Sequence, residues 1–382
     1  MRLFLSPPHQ TGAEAEWLRA ALDTNYLAPA GPLLDRLENE IATRLGHRHA
    51  LALNSATSAL HLAIRHLRDT RPIHPNSGPP VILAASLSFI ASVSPALHQG
   101  CEVWLIDVEE ESWTMDPVLL ARALRDATAE QRTVLAVIPT ELYGQACDLD
   151  AIRGLCDPAG VPVLLDGAES LGVRYVGSAR PWASVTSFNG NKIITASGGG
   201  MLVSDDEQLI THARKLAAQA REAEVHYEHA ELGYNFRMSH LLAAVALCQL
   251  EALDDRVQRR REIFDLYRNE LSDLPGVSWM PEARWNHCTR WLSVMRIHAE
   301  TFGVTPEDIR LDLEEEDIES RPVWKPLHRQ PALRGLRCYG GAVSDQLFRE
   351  GLCLPSGSAM NDRDVVRVAG IIRKSRGQDS GS

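Results

Sequence analysis

Apolar and polar positions follow two rhythms along residues 33–205. Residues 33–45, 57–67, 117–127 and 149–156 repeat at helical spacing. Between them stand short apolar runs at 50–53, 81–85, 102–106, 134–139, 161–165 and 185–188. Such runs have no polar face, so they suit strands buried on both sides. Their alternation with helices predicts a mostly parallel α/β sheet covered on both faces. In a sheet of that kind the loops at one end of the strands carry the site.

The rhythm changes after about residue 240. Residues 241–254 predict a helix and 257–274 a charged one. A strand-like stretch at 291–297 follows, then a helix at 306–315, an extended segment at 318–323, a helix near 344–350 and a closing helix from Asn361. This is a smaller α+β unit. The expected division is a large domain at 1–250 and a small domain at 251–382. Residues 71–80, rich in Pro, Gly, Asn and Ser, read as an exposed loop. Residues 376–382 read as a disordered tail.

Composition narrows the picture. The 382 residues are 45% hydrophobic and 23% charged, which supports a large core and argues against bulk disorder. Acidic residues outnumber basic ones, 50 to 39, giving a net charge of −11. Such a chain has no general attraction to nucleic acid or anionic membranes. Any phosphate it binds must be held locally. The seven cysteines are scattered and form no CxxC pair, so neither a disulfide framework nor a zinc ribbon is expected. That usage fits a reducing cytoplasm. No apolar stretch reaches the roughly 18 residues of a membrane span.

The most informative segment is residues 187–192, Ser-Phe-Asn-Gly-Asn-Lys, followed by Ser197 and three glycines. An apolar strand ends at Ser187, and Lys192 follows in the loop. A P-loop is excluded, because Asn191 separates Gly190 from Lys192 and Ile193 stands where Ser or Thr is required. A lysine at a strand end beside phosphate donors is what a Schiff-base enzyme using pyridoxal phosphate needs. Alone, it reads more simply as a surface lysine in a turn. Asp166 and Glu169 follow the run at 161–165. Asp166 could pair with a pyridinium nitrogen or simply cap a helix. Ala56 and Thr57, within the Asn-Ser-Ala-Thr-Ser run at 54–58, start a helix and offer a phosphate cradle or a plain cap. Phe89 ends another strand and could stack on a cofactor ring or fill the core. Taken together, four strand ends supply a cradle, a stacking ring, a nitrogen partner and a lysine.

On these residues the chain resembles the sugar aminotransferases of the DegT/DnrJ/EryC1/StrS family. The resemblance runs through residues 5–9 (Leu-Ser-Pro-Pro-His), 25–29, 53–57, 142–144, 166–169 and 187–192. It continues through Gly233, Tyr234, Asn235 and Arg237, then residues 321–325 and 352–357. It implies fold type I, the aspartate-aminotransferase-like architecture. That is a large domain with a mostly parallel seven-stranded sheet and a smaller α+β C-terminal domain. It implies pyridoxal 5'-phosphate as cofactor, with Lys192 as Schiff-base lysine and proton carrier and Asp166 on the pyridinium nitrogen. Glu169 would lie near the phenolic side of the ring, and Phe89 would stack on it. Ala56, Thr57 and Ser187 would hold the phosphate. Asn235 would reach it from a second subunit, making a homodimer with shared sites. Arg321 and His328 fall where the family meets its nucleotide sugar. No metal is implied.

The opening at 5–9, the cradle at 54–57 and the ending at 352–360 are most similar to bacillosamine-pathway enzymes. Those aminate C4 of UDP-4-keto-6-deoxy-N-acetylglucosamine, with L-glutamate as the family's usual donor. A GDP-4-keto-6-deoxymannose (perosamine-type) substrate and a non-catalytic pyridoxal-phosphate-binding regulator are the alternatives. Two positions depart from the family pattern. Gly167 stands where alanine is usual, which should be harmless, and Glu141 stands where histidine is frequent. The pair His226 and His229 lacks a third ligand in view, and the tryptophans read as core or interface.

Overall fold

The computed structural model describes residues 2–74 and 77–376. The expected tail, apart from Arg376, lies outside the described residues, as do positions 75 and 76 of the expected loop.

Strands form where the apolar runs stand: β1 (His49–Leu53), β2 (Val81–Ala85), β3 (Glu102–Ile106), β4 (Val134–Ile138) and β5 (Leu164–Asp166). After the two-residue β6 (Arg174–Tyr175) come β7 (Ala183–Ser187) and β8 (Gly200–Ser204). β3, β2 and β4 pair in parallel. Parallel bridges between Val137 and Val163, and between Thr140 and Asp166, join β4 to β5. β5 pairs in parallel with β7. β8 is inserted antiparallel between β7 and β1. The result is a seven-stranded sheet in the order β3-β2-β4-β5-β7-β8-β1, the fold type I arrangement.

Alternate side chains along the strands enter different cores, as a two-residue period requires. Ile82, Ala84, Val103 and Leu105 pack into one cluster. Val81, Leu83, Trp104 and Ile106 pack into another on the opposite face. Both faces are therefore sealed, and the sheet's polar chemistry is confined to its strand ends.

The chain after residue 276 adds β9 (Val277–Trp279), β10 (Asn286–His287), β11 (Ser293–Ile297), β12 (Arg321–Pro322), β13 (Arg337–Tyr339) and β14 (Gly351–Leu354). β12, β14, β11 and β9 make an antiparallel sheet. Leu3 bridges Ile318, so the N-terminal segment returns to this part of the molecule. β13 instead pairs in parallel with β3 and extends the large sheet by an eighth strand. Its three residues are too short to register as a strand by pattern. Their pairing depends on the exposed edge of β3, which is remote in sequence.

The two helices expected at 241–254 and 257–274 are His240–Glu251 and Leu253–Glu270, divided at Ala252. A helix at Glu207–Ala217 was not expected; Asp206 caps it by accepting from the N–H groups of Gln208 and Leu209.

Candidate active site

The ends of β1, β2, β4, β5 and β7 surround a cavity of about 350 Å³. Ala56, Thr57, Phe89, Asp166, Glu169, Ser187 and Lys192 all line it. The four segments singled out in the sequence thus meet at one place, because parallel strands present their C-terminal ends on one side.

At one end the helix Ala56–Thr70 begins directly after β1. The Ser55 hydroxyl caps it, accepting from the Ser58 N–H at 3.1 Å. Gly200 presses its backbone against that start: a Cβ there would lie 2.3 Å from the Ala56 nitrogen. Ser187, at the end of β7, borders the same end of the cavity. Free N–H groups at a helix start and a nearby hydroxyl are suited to a phosphate.

Asp166 forms another wall. Its Oδ2 accepts from the Ser92 hydroxyl at 2.5 Å and its Oδ1 from the Ala168 N–H at 3.2 Å. Ser92 in turn meets Ser88 at 2.6 Å, and Thr140 donates to Ser88 at 3.1 Å. This hydroxyl chain fixes the carboxylate's rotamer. Burial pushes the Asp166 acid above its ordinary range, partly offset by the hydroxyl. A buried carboxylate facing a cavity suits a pyridinium N–H.

Lys192 lies between these ends. Its Nζ is 3.4 Å from Glu169 Oε1 and 4.2 Å from the centre of the Trp291 ring. The other oxygen of Glu169 accepts from the Tyr143 N–H at 2.9 Å. Burial raises the Glu169 acid too, against the pull of Lys192. A phosphate end, an acid for the ring nitrogen and an amine between them match the parts of pyridoxal phosphate.

The remaining candidates lie further out. Phe89 is half exposed at the rim, its ring 5.4 Å from that of Trp324. The Asn235 backbone oxygen accepts from Asn54 Nδ2 at 3.4 Å, and the residue does not line the cavity. Arg321 pairs with Glu319 at 2.8 Å and borders a second, larger cavity of about 780 Å³. His328 Nε2 meets Asp345 at 3.0 Å and borders neither cavity. His226 pairs with Glu228, and His229 bonds the Gln219 carbonyl. Among the described residues, Asp69, His212 and Glu231 also bring three ligand-type atoms together. Their carboxylates already pair with Arg65 and Lys215.

The tryptophans lie in or against the core, as expected, with Trp104, Trp113 and Trp291 fully buried, but two of them also reach the cavities. Trp324 borders both cavities, as does Asn191, and Trp291 lines the larger one while touching Lys192. Ser92, Thr140 and Tyr143 were also missed. Only the Ser88, Phe89 and Ser92 cluster after β2 hinted at hydroxyls near a strand end.

A mixed sheet of this order, with a lysine, an aspartate and a phosphate cradle at its strand ends, defines a pyridoxal-phosphate-dependent enzyme of aspartate-aminotransferase-like fold. The DegT/DnrJ/EryC1/StrS aminotransferase family profile matches residues 8–373, and the chain belongs to that family. It is a pyridoxal-phosphate-dependent sugar aminotransferase. EpsN of Bacillus subtilis, provisionally named a pyridoxal phosphate-dependent aminotransferase, is 44% identical over 378 residues, covering 97% of this chain and 95% of its own. GDP-perosamine synthase of Vibrio cholerae is 32% identical over 371 residues, covering 96% and 97%. DesI, solved in the presence of its TDP-sugar product, superposes with a TM-score of 0.85 at 26% identity, covering 98% of this chain and 92% of its own. PseC of Helicobacter pylori shares the fold at a TM-score of 0.88 and 21% identity, covering 99% and 100%. Among the described residues no helix is long and apolar enough to cross a membrane.

Proposed function

We propose that this enzyme moves an amino group from L-glutamate to the C4 keto carbon of UDP-4-keto-6-deoxy-N-acetylglucosamine, as in bacillosamine-type amino sugar synthesis. One observation carries the reading. The larger cavity joins the smaller one at Asn191 and Trp324, and is lined by Leu5, Ser6, Pro7, Pro8 and Cys353. Those residues belong to the opening and closing segments that carry the bacillosamine-type resemblance. The segments that narrow the substrate are therefore the ones that border the space for it.

Bound pyridoxal phosphate supplies an electron sink that loosens a C–H bond on the amine-bearing carbon. The protein's residues do the rest. Ala56, Thr57 and Ser187 hold the phosphate end. Asp166, clamped by Ser92, holds the ring nitrogen's proton. Phe89 covers the ring, and Glu169 steadies the amine of Lys192. Lys192 Nζ takes and returns the proton in each half of the exchange. Arg321 attends the nucleotide sugar, whereas His328, paired with Asp345 outside both cavities, takes no part in this reading. Asn235 serves the phosphate of a second subunit, making the working unit a cytoplasmic homodimer.

The second reading is a GDP-4-keto-6-deoxymannose substrate, favoured by the 32% identity to GDP-perosamine synthase. An absorbance titration separates the two. L-Glutamate should bleach the near-visible band of the lysine-bound cofactor, and the true keto sugar should restore it. Restoration by the UDP sugar supports the proposal, and restoration by the GDP sugar alone overturns it. Binding of cofactor with no response to any keto sugar would point to a regulator. Lys192→Ala should abolish the band and lower turnover by roughly 10²–10⁴-fold, the usual worth of a positioned general base.

A further inference from the structure

Trp291 stands just before β11, remote in sequence from Lys192. Its ring face nevertheless meets the Lys192 amine, with Nζ 4.2 Å from the ring centre. On another side the amine meets Glu169 Oε1 at 3.4 Å. An ammonium held between a carboxylate and an indole face is stabilised by both.

The ring is not placed by packing alone. Its Nε1 donates to the Asn191 carbonyl at 2.9 Å, the residue next to Lys192. The Ser6 hydroxyl donates to the same carbonyl at 2.8 Å. Buried Arg260 donates to the Trp291 carbonyl and, at 3.1 Å, to Ser6 Oγ. Two remote parts of the chain thus converge on the peptide before the lysine, and Arg260 ties them to each other. The indole also stacks on Tyr143 at 6.3 Å, and the Tyr143 N–H holds Glu169. The two partners of the amine are therefore fixed relative to each other through one tyrosine.

We propose that Trp291 is a further catalytic residue: its indole face receives the Lys192 ammonium whenever the amine is not bonded to the cofactor. The proposal rests on Lys192 being the cofactor lysine. In each half of the exchange Nζ gains the proton that leaves carbon and later returns it, so no other acid or base is consumed. The indole face favours the proton-loaded state of Nζ without offering a hydrogen-bond acceptor that would trap it. Because Trp291 also lines the larger cavity, an occupant of that cavity would touch the same ring and exclude water from it.

The test is amine acetylation of the full-length chain by N-hydroxysuccinimidyl acetate across a range of pH. Modification of Lys192 is followed by peptide mass spectrometry in wild type, Trp291→Met and Trp291→Phe, with and without pyridoxal phosphate. A change in access scales the labelling rate equally at every pH, whereas loss of ammonium stabilisation moves the whole profile to lower pH. The expected result is Lys192 labelling several-fold to about tenfold faster near neutral pH in Trp291→Met, and less so in Trp291→Phe, with all curves converging at high pH. If the methionine variant does not fold, faster labelling of Trp291→Phe confined to the lower pH range supports the proposal. Profiles that superimpose on wild type overturn it. If pyridoxal phosphate fails to protect wild-type Lys192 from acetylation, the lysine assignment itself falls; protection with unmoved profiles rejects only the role of Trp291.

Discussion

The Glu141 carboxylate rests against Gly167: a Cβ at position 167 would lie 3.4 Å from Glu141 Oε2. The same Cβ would come within 3.1 Å of Ser170 Oγ and 3.0 Å of the Val185 carbonyl. Glu141 is buried and accepts from the hydroxyls of Ser170 and Tyr175. Its N–H donates to the Asp166 carbonyl at 3.0 Å. The two departures from the family pattern are thus neighbours beside Asp166; a methyl at 167 would crowd the Val185 carbonyl and the Ser170 hydroxyl and make only ordinary contact with Glu141. Gly167→Ala should lower stability by about 1–3 kcal/mol through overpacking, read as a lower midpoint in urea. An unchanged midpoint would mean that the strand end shifts freely to accept the methyl.

Glu141 also sets a pH dependence. Burial pushes its acid from the usual 4.5 up to about 7, against the two hydroxyl donors. The folded value lies above the unfolded one, so the folded state holds the proton more tightly. Its contribution to stability is complete below about 4.5 and is lost as pH rises through about 7. The loss is on the order of 3 kcal/mol. Glu141→Gln has no such titration. The stability difference between variant and wild type should grow between pH 4.5 and 7 in favour of the variant, then level off. Parallel curves from calorimetry at several pH values would reject this assignment.

Ser92 holds the Asp166 carboxylate, which is proposed to meet the ring nitrogen. Ser92→Ala leaves Asp166 with only the Ala168 N–H among its hydrogen bonds in the cavity wall. A hydrogen bond to a charged group is worth about 1.5–3 kcal/mol, so kcat should fall roughly 10–100-fold if the bond acts in the transition state. Ser92→Thr, which restores the hydroxyl, should recover most of the loss. No recovery would mean that Ser92 matters for packing alone.

Arg321 is exposed on the two-residue strand β12 and borders the larger cavity, away from Lys192. Arg321→Ala should raise KM for the nucleotide sugar about tenfold, the equivalent of one charge-assisted contact. The half-reaction with L-glutamate should be unchanged. Stopped-flow bleaching by glutamate separates the two effects, and slower bleaching would place Arg321 at the amino donor instead.

Local order in the chain was enough to find the strands from β1 to β5 and β7, the helix after β1, and Ala56, Thr57, Asp166, Glu169 and Lys192 as residues that line one cavity. These depend on periodicity and on short spacings from a strand end, which neighbouring residues encode directly. Parallel pairing then puts every strand end on one side, so the order of segments already implied a shared site. Other features depend on contacts between remote segments: the edge pairing of β13 with β3, the Ser92 clamp on Asp166, the fit of Glu141 to Gly167 and the indole face beneath Lys192. No local pattern distinguishes Trp291 from an ordinary core tryptophan. Its role follows from where two sheets, an N-terminal segment and a buried arginine come to rest against one another, and packing in three dimensions sets that placement.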